Sequence, residues 1–155
     1  MIKAYKDVID FHRKFSLAGG GLNTIDRDKF KKRIEFLFEE MSELADAHDV
    51  LYQVDEKDIN KEVLEQYFVD SIDALLDIIY VALGTLDIMG VSHTQSVEHW
   101  DAIQKANMAK VKKDPDDDSE DTAHKDIVKP EEWVSPDEEH RSILRKYWNI
   151  TDDKT

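Results

Sequence analysis

Residues Asp70–Thr85 read DSIDALLDIIYVALGT, and this stretch decides the fold. Asp70, Asp73 and Asp77 fall within an arc of about 60° on an α-helix, whereas a strand would scatter them over both faces. Ile72, Leu75, Leu76, Ile78 and Ile79 fill the rest of the circumference. Extending the pattern both ways predicts a helix over residues 59–89, stopped by Gly90. Its second half, with Ile78, Ile79, Val81, Ala82, Leu83, Leu86, Ile88 and Met89, leaves almost no polar face. Such a helix has to be covered on most sides. One small domain can hardly do that, so the sequence predicts a homo-oligomer, dimer or tetramer, with an oligomeric helical core.

The rest of the chain agrees. Five Gly and three Pro in 155 residues point to long helices rather than to a turn-rich β fold. Tyr5, Val8, Ile9, Phe11 and Phe15 recur at helical spacing, which predicts a first helix over 2–16. Gly19-Gly20-Gly21 lacks the Lys-Ser/Thr ending of a phosphate loop and reads as a flexible connection. Asp26 is the expected N-cap of a second helix over 27–54. Ser92 with Gln95 makes a capping-box pattern for a fourth helix over 93–110. Ser135-Pro136-Asp137-Glu138 starts a fifth over 136–148, with Ser135 as cap and Pro136 at the first helical position. Between them lies an irregular acidic loop, 111–135. Its Asp114, Asp116 and Asp118 mimic a calcium loop, but Ser119 and Lys125 stand where Gly and Glu are needed. The expected fold class is all-α: one domain over 1–155, a bundle of four to five helices with that loop before the C-terminal helix.

Charge narrows the function classes. Thirty-five Asp and Glu against 21 Lys and Arg give a net charge of -14, which opposes binding to nucleic acid or to an anionic membrane. The absence of cysteine removes thiol nucleophiles, thiolate zinc sites and disulfides. No apolar run reaches membrane-spanning length, and MIKAYKDVIDFHRKF does not resemble a signal peptide. A cytoplasmic protein is expected.

The acid is unevenly placed. Glu39, Glu40 and Glu43 (EExxE) lie within about 100° of arc on the second helix, beside Phe36, Met41 and Leu44. Asp70, Asp73 and Asp77 form a second acidic stripe on the third. Between Lys61 and Lys105 there is no Lys or Arg to relieve the repulsion. At an effective dielectric near 20, like charges 4 Å apart cost roughly 4 kcal/mol per pair. Raised pKa values or an external cation must offset that cost. A hard divalent ion suits a set of oxygen ligands, and Glu40/Glu43 opposite Asp70/Asp73 across an antiparallel hairpin would make a four-carboxylate box. No Glu-x-x-His pair accompanies it, which argues against a di-iron centre.

EExxE on one helix followed by an ExxD-like motif on the next resembles the all-α nucleoside triphosphate pyrophosphohydrolases, in particular the MazG-like and phosphoribosyl-ATP pyrophosphohydrolase-like branch. VIDFHRKF (8–15), DSIDALLDIIYVALGT (70–85), Asn107-Met108-Ala109-Lys110 and Val128-Lys129-Pro130 through Trp133 and Pro136 are similar to that family's segments, in the same order. Asp70 stands where the family has Glu, and Gln104-Lys105 where it has His-Arg. The resemblance implies Mg²⁺, with Mn²⁺ as a possible substitute, held by Glu40, Glu43, Asp70 and Asp73. It also implies that Glu39 orients or deprotonates the attacking water while Asp77 supports the site. Lys110 would meet triphosphate oxygens and Asn107 the sugar or base. The implied reaction takes a nucleoside triphosphate substrate, with a deoxynucleoside triphosphate as the expected form, to monophosphate and pyrophosphate. Phosphoribosyl-ATP is the alternative substrate. A non-enzymatic helical protein with an acidic docking face is the reading from another class.

Remaining residues are expected in bland roles. Trp100, Trp133 and Trp148 read as packing residues, and Phe15 and Tyr80 as either core or base pocket. The six histidines show no ligand spacing, so surface or capping roles are expected for them.

Overall fold

The computed structural model describes residues 2–17, 26–114 and 126–148. The order is α1 (Ile2–Lys14), α2 (Arg27–Gln53), a 3₁₀ turn (Glu56–Asp58), α3 (Lys61–Ile88), α4 (His93–Met108), β1 (Val111–Lys112), β2 (Ile127–Val128) and α5 (Asp137–Trp148). The all-α expectation holds, with five helices. The helix ends move by one or two residues, and the glycine triplet and the middle of the acidic loop lie outside the described residues. One expectation is corrected: the segment 111–135 is not irregular throughout. Its two ends pair as an antiparallel ribbon, Val111 opposite Val128 and Lys112 opposite Ile127. Lone β-branched residues beside lysines carry too little pattern to announce two-residue strands.

The chain forms two compact units, Met1–His93 and Thr94–Thr155. In the first, each helix start has a physical cause. Asp26 accepts from the backbone N–H groups of Asp28 (3.1 Å) and Lys29 (3.0 Å), as its cap position predicts. Asn60 caps α3, accepting from Glu62 (2.9 Å) and Val63 (3.1 Å), so the helix starts at Lys61 rather than at Ile59. The stop at Gly90 is a Schellman motif: Gly90 N–H donates to Asp87 C=O and Val91 N–H to Leu86 C=O. That geometry needs a left-handed residue, and Gly90 has φ 80°.

Only a short connection separates α2 from α3, so the two run antiparallel as a hairpin. Ala47, Ser71 and Ala74 are buried on it. α1 packs on α3 through Tyr5, Val8 and Leu83. His12 continues that stripe and is almost wholly buried, with Nδ1 2.6 Å from Asp87. Arg33 reaches from α2, donating to the Val81 carbonyl at 2.8 Å and to Thr85 Oγ1 at 3.4 Å. Gly84 makes room for both: a Cβ there would lie 2.6 Å from Arg33 Nη2 and 2.9 Å from His12 Nε2.

In the second unit, α4 and α5 join through paired side chains. His99 and His140 meet Nδ1 to Nδ1 at 2.9 Å. Lys146 and Tyr147 both reach Glu98, at 2.7 and 2.8 Å. Lys105 meets Glu139 at 3.2 Å. Trp133 donates its indole N–H to the Ala106 carbonyl at 2.7 Å, satisfying an otherwise open acceptor in the last turn of α4. His140 N–H bonds to Pro136 C=O, so Pro136 is the N-cap residue and α5 begins one residue later than predicted. The surface or capping roles expected of the histidines fail for His12, His99 and His140. Periodicity held the clue only for His12, four residues beyond Val8 and seven beyond Tyr5 on one helical face.

Candidate active site

The two acidic motifs lie on the two arms of the α2–α3 hairpin, which is what brings residues thirty positions apart in sequence within electrostatic reach. Glu40 is the half-buried member, while Glu39, Glu43, Asp70, Asp73 and Asp77 are exposed. Burial raises the Glu40 pKa above its ordinary value. The charges of Glu43, Asp77, Glu39 and Asp73 raise it further, in that order. Two of those four belong to α2 and two to α3, so Glu40 sits where the motifs meet. Asp70 is engaged elsewhere: its Oδ1 accepts from Gln66 Nε2 at 2.7 Å, one turn back on its own helix.

None of the six carboxylates forms an ion pair with another described residue. Among the described residues no group of three or more His, Asp or Glu side chains already stands in a geometry that could hold a metal ion. The donor chemistry nevertheless suits a hard divalent cation: carboxylate oxygens only, mutually repelling, with no ammonium or guanidinium to neutralise them.

Asn107 and Lys110 belong to the second unit. Asn107 is exposed near the end of α4. Lys110 is partly covered and follows that helix, its backbone N–H bonded to the Asn107 carbonyl at 3.2 Å. The same unit has a cavity of about 460 Å³ between Ala102, Ala106, Trp133 and Pro136. None of the six carboxylates lines it. On the first unit Phe11 meets Tyr80 edge to face, with centroids 5.6 Å apart, and Phe15 at 4.7 Å. Phe15 remains half exposed.

Spacing alone did not show the polar cluster of His12, Asp87, Arg33 and Thr85 where α1, α2 and α3 meet. Its signals were His12 on an apolar stripe and Asp87 inside an apolar run.

A family model described as phosphoribosyl-ATP pyrophosphohydrolase matches residues 10–107. The chain belongs to the phosphoribosyl-ATP pyrophosphohydrolase family, within the all-α nucleoside triphosphate pyrophosphohydrolase superfamily. This is a family of hydrolases acting on phosphoric anhydrides of nucleotides. The match spans well over half the chain and contains all six carboxylates and Asn107, while Lys110 lies three residues beyond it. No curated protein and no solved structure matches the chain.

Proposed function

We propose that the chain hydrolyses a nucleoside triphosphate between the α and β phosphates, releasing monophosphate and pyrophosphate with the help of Mg²⁺. The observation that carries this reading is Glu40, half-buried where the two acidic motifs meet, its pKa raised by burial and then by carboxylates of both α2 and α3. Within a pyrophosphohydrolase family, a carboxylate-rich hairpin of this kind is best explained by a cation and a polyphosphate.

In this reading Glu40, Glu43, Asp70 and Asp73 hold the ion and Asp77 supports the site. Bound there, Mg²⁺, or Mn²⁺ in its place, supplies water activation and screening of phosphate oxygens. Asp70, whose Oδ1 accepts from Gln66, has its second carboxylate oxygen to offer the ion. Glu39, exposed beside Glu40, orients the attacking water and accepts its proton. Lys110 meets phosphate oxygens as a mobile point charge. Asn107, which offers both a donor and an acceptor, hydrogen-bonds sugar or base.

Phosphoribosyl-ATP is the second reading, favoured by the description of the matching family. A homo-oligomer, dimer or tetramer, belongs to the same proposal. Phe68, Val69, Ile72 and Leu76 are each more than half exposed in a single copy. Contiguous apolar surface of this kind marks an association face.

A pyrophosphate-release screen over nucleoside triphosphates and phosphoribosyl-ATP, with Mg²⁺, Mn²⁺ or EDTA, tests the function. Release is expected from at least one substrate, abolished by EDTA. Glu43→Ala and Asp73→Ala are expected to lower turnover by at least 100-fold while keeping the helical circular dichroism and an equal or higher Tm. No release from any substrate, or unfolding of both variants, would overturn the reading in favour of a structural or docking role.

A further inference from the structure

The β1–β2 register has a consequence for charge. It continues past Lys112 to Lys113, whose backbone N–H donates to the Asp126 carbonyl at 2.8 Å. At the other end Lys110 precedes β1 and Lys129 follows β2, each next along the chain from the Val111–Val128 pair. Successive side chains of a strand point to opposite faces, so the ribbon has two unlike sides. One side carries Val111 and Val128 with Lys113 opposite Asp126, apolar against apolar and cation against anion. The other carries Lys112 opposite Ile127, with Lys110 and Lys129 flanking the strands one residue beyond the Val111–Val128 pair.

These three lysines gather in a chain with 35 Asp and Glu. Between Asp101 and Asp114 there are four lysines and no carboxylate. Lys110, Lys112 and Lys129 form no ion pair with any described residue. Lys129 places its Nζ over the Trp133 ring, 4.1 Å from the centroid. An exposed cation–π contact is weak, and an anionic oxygen readily replaces it. The Trp133 indole is itself fixed by its bond to Ala106, so Lys129 rests on a rigid support.

We propose that Lys110, Lys112 and Lys129 form a polyphosphate-binding face. Lysine ammoniums suit such a ligand because each is a compact charge on a flexible stem and can follow a phosphate chain whose oxygens are not fixed in one plane. Lys112 and Lys129 thereby join Lys110 as phosphate-contacting positions. The proposal rests on the nucleotide reading for the source of the polyphosphate, the triphosphate tail of a substrate or the pyrophosphate released from it.

The test is isothermal titration of the intact protein with inorganic tripolyphosphate, using K112Q/K129Q and, as a net-charge control, K61Q on α3. Binding is expected to weaken about ten-fold in the double variant and by less than two-fold in the control. Tripolyphosphate is expected to change tryptophan emission in the parent but not in K129Q. In turnover, the loss in the double variant is expected in KM rather than in kcat. Unchanged affinity in the double variant, equal weakening in K61Q, or tighter binding of a short oligonucleotide than of tripolyphosphate would overturn the proposal. Lysine-dependent tripolyphosphate binding without hydrolysis of any nucleotide would leave this face standing and remove the proposed function. Hydrolysis with affinity and KM unmoved would remove this face alone.

Discussion

Gly84 and Glu40 show how single residues are held by their surroundings. At Gly84 the missing side chain is the space that His12 and Arg33 use. Arg33 ends in a flexible guanidinium, but His12 is buried and tied to Asp87, so it has little room to retreat. Gly84→Ala is therefore expected to destabilise the protein by about 1–3 kcal/mol, read from urea unfolding. A change below half a kcal/mol would mean that His12 moves aside freely.

At Glu40 the charge is the difficulty. Its pKa is raised, so the folded chain binds the proton more tightly than the unfolded chain does. Stability then falls as pH rises from the ordinary value of 4.5 through the raised one. Glu40→Gln is expected to remove that slope and, in EDTA near neutral pH, to raise Tm by about 1–3 °C. Added Mg²⁺ should stabilise the parent more than the variant. Melts from pH 5 to 8, with and without the ion, measure both effects.

Among the elements, the pairing of α4 with α5 depends on pH in the opposite sense. Burial lowers the His99 pKa, the neighbouring His140 lowers it further, and Glu98 partly offsets them. The Nδ1–Nδ1 bond needs one ring with a proton on that nitrogen and one without. A depressed imidazole binds fewer protons folded than unfolded, so this contribution is present above 6.5 and is lost as pH falls below it. The Glu98–Lys146 pair on the same two helices, its carboxylate pKa lowered and its ammonium pKa raised by their mutual hydrogen bond, does not compensate. Tm is expected to drop between pH 7 and 5, and His140→Gln to flatten the drop; an equal drop in the variant would assign it to other groups. The helix boundaries themselves were legible because caps are local chemistry. Asp26 and Gly90 act where their sequence positions say, and Asn60 escaped notice because it sits inside a polar run beside Ile59. The ribbon was not legible, because its strands are two residues long and fourteen residues apart, and pairing over that distance leaves no periodic signal.

For the whole molecule, the question is what covers the α2–α3 hairpin. Phe68 and Leu76 are each more than half exposed, and burying such side chains is worth about 1.5–3 kcal/mol apiece. Phe68→Lys combined with Leu76→Lys is expected to reduce the mass seen by light scattering to that of one chain, with helical circular dichroism retained. A parent that is already monomeric would refute the association face.

Sequence alone determined the helical class, most helix ends and the identity of six acidic residues at helical spacing, because these depend on neighbours within one or two turns. The apolar second half of α3, which the sequence marked as needing cover, is largely covered within one copy, while Phe68, Val69, Ile72 and Leu76 ahead of it stay exposed. Tertiary structure decided which carboxylate carries the strain. Glu40 is singled out by burial and by charges arriving from α3, and Asp70 is turned toward Gln66. It also decided that His12 is a buried partner of Asp87 and that lysines from two distant segments come together at a short ribbon. Burial and cross-chain pairing are properties of the folded arrangement, and no spacing along a single chain encodes them.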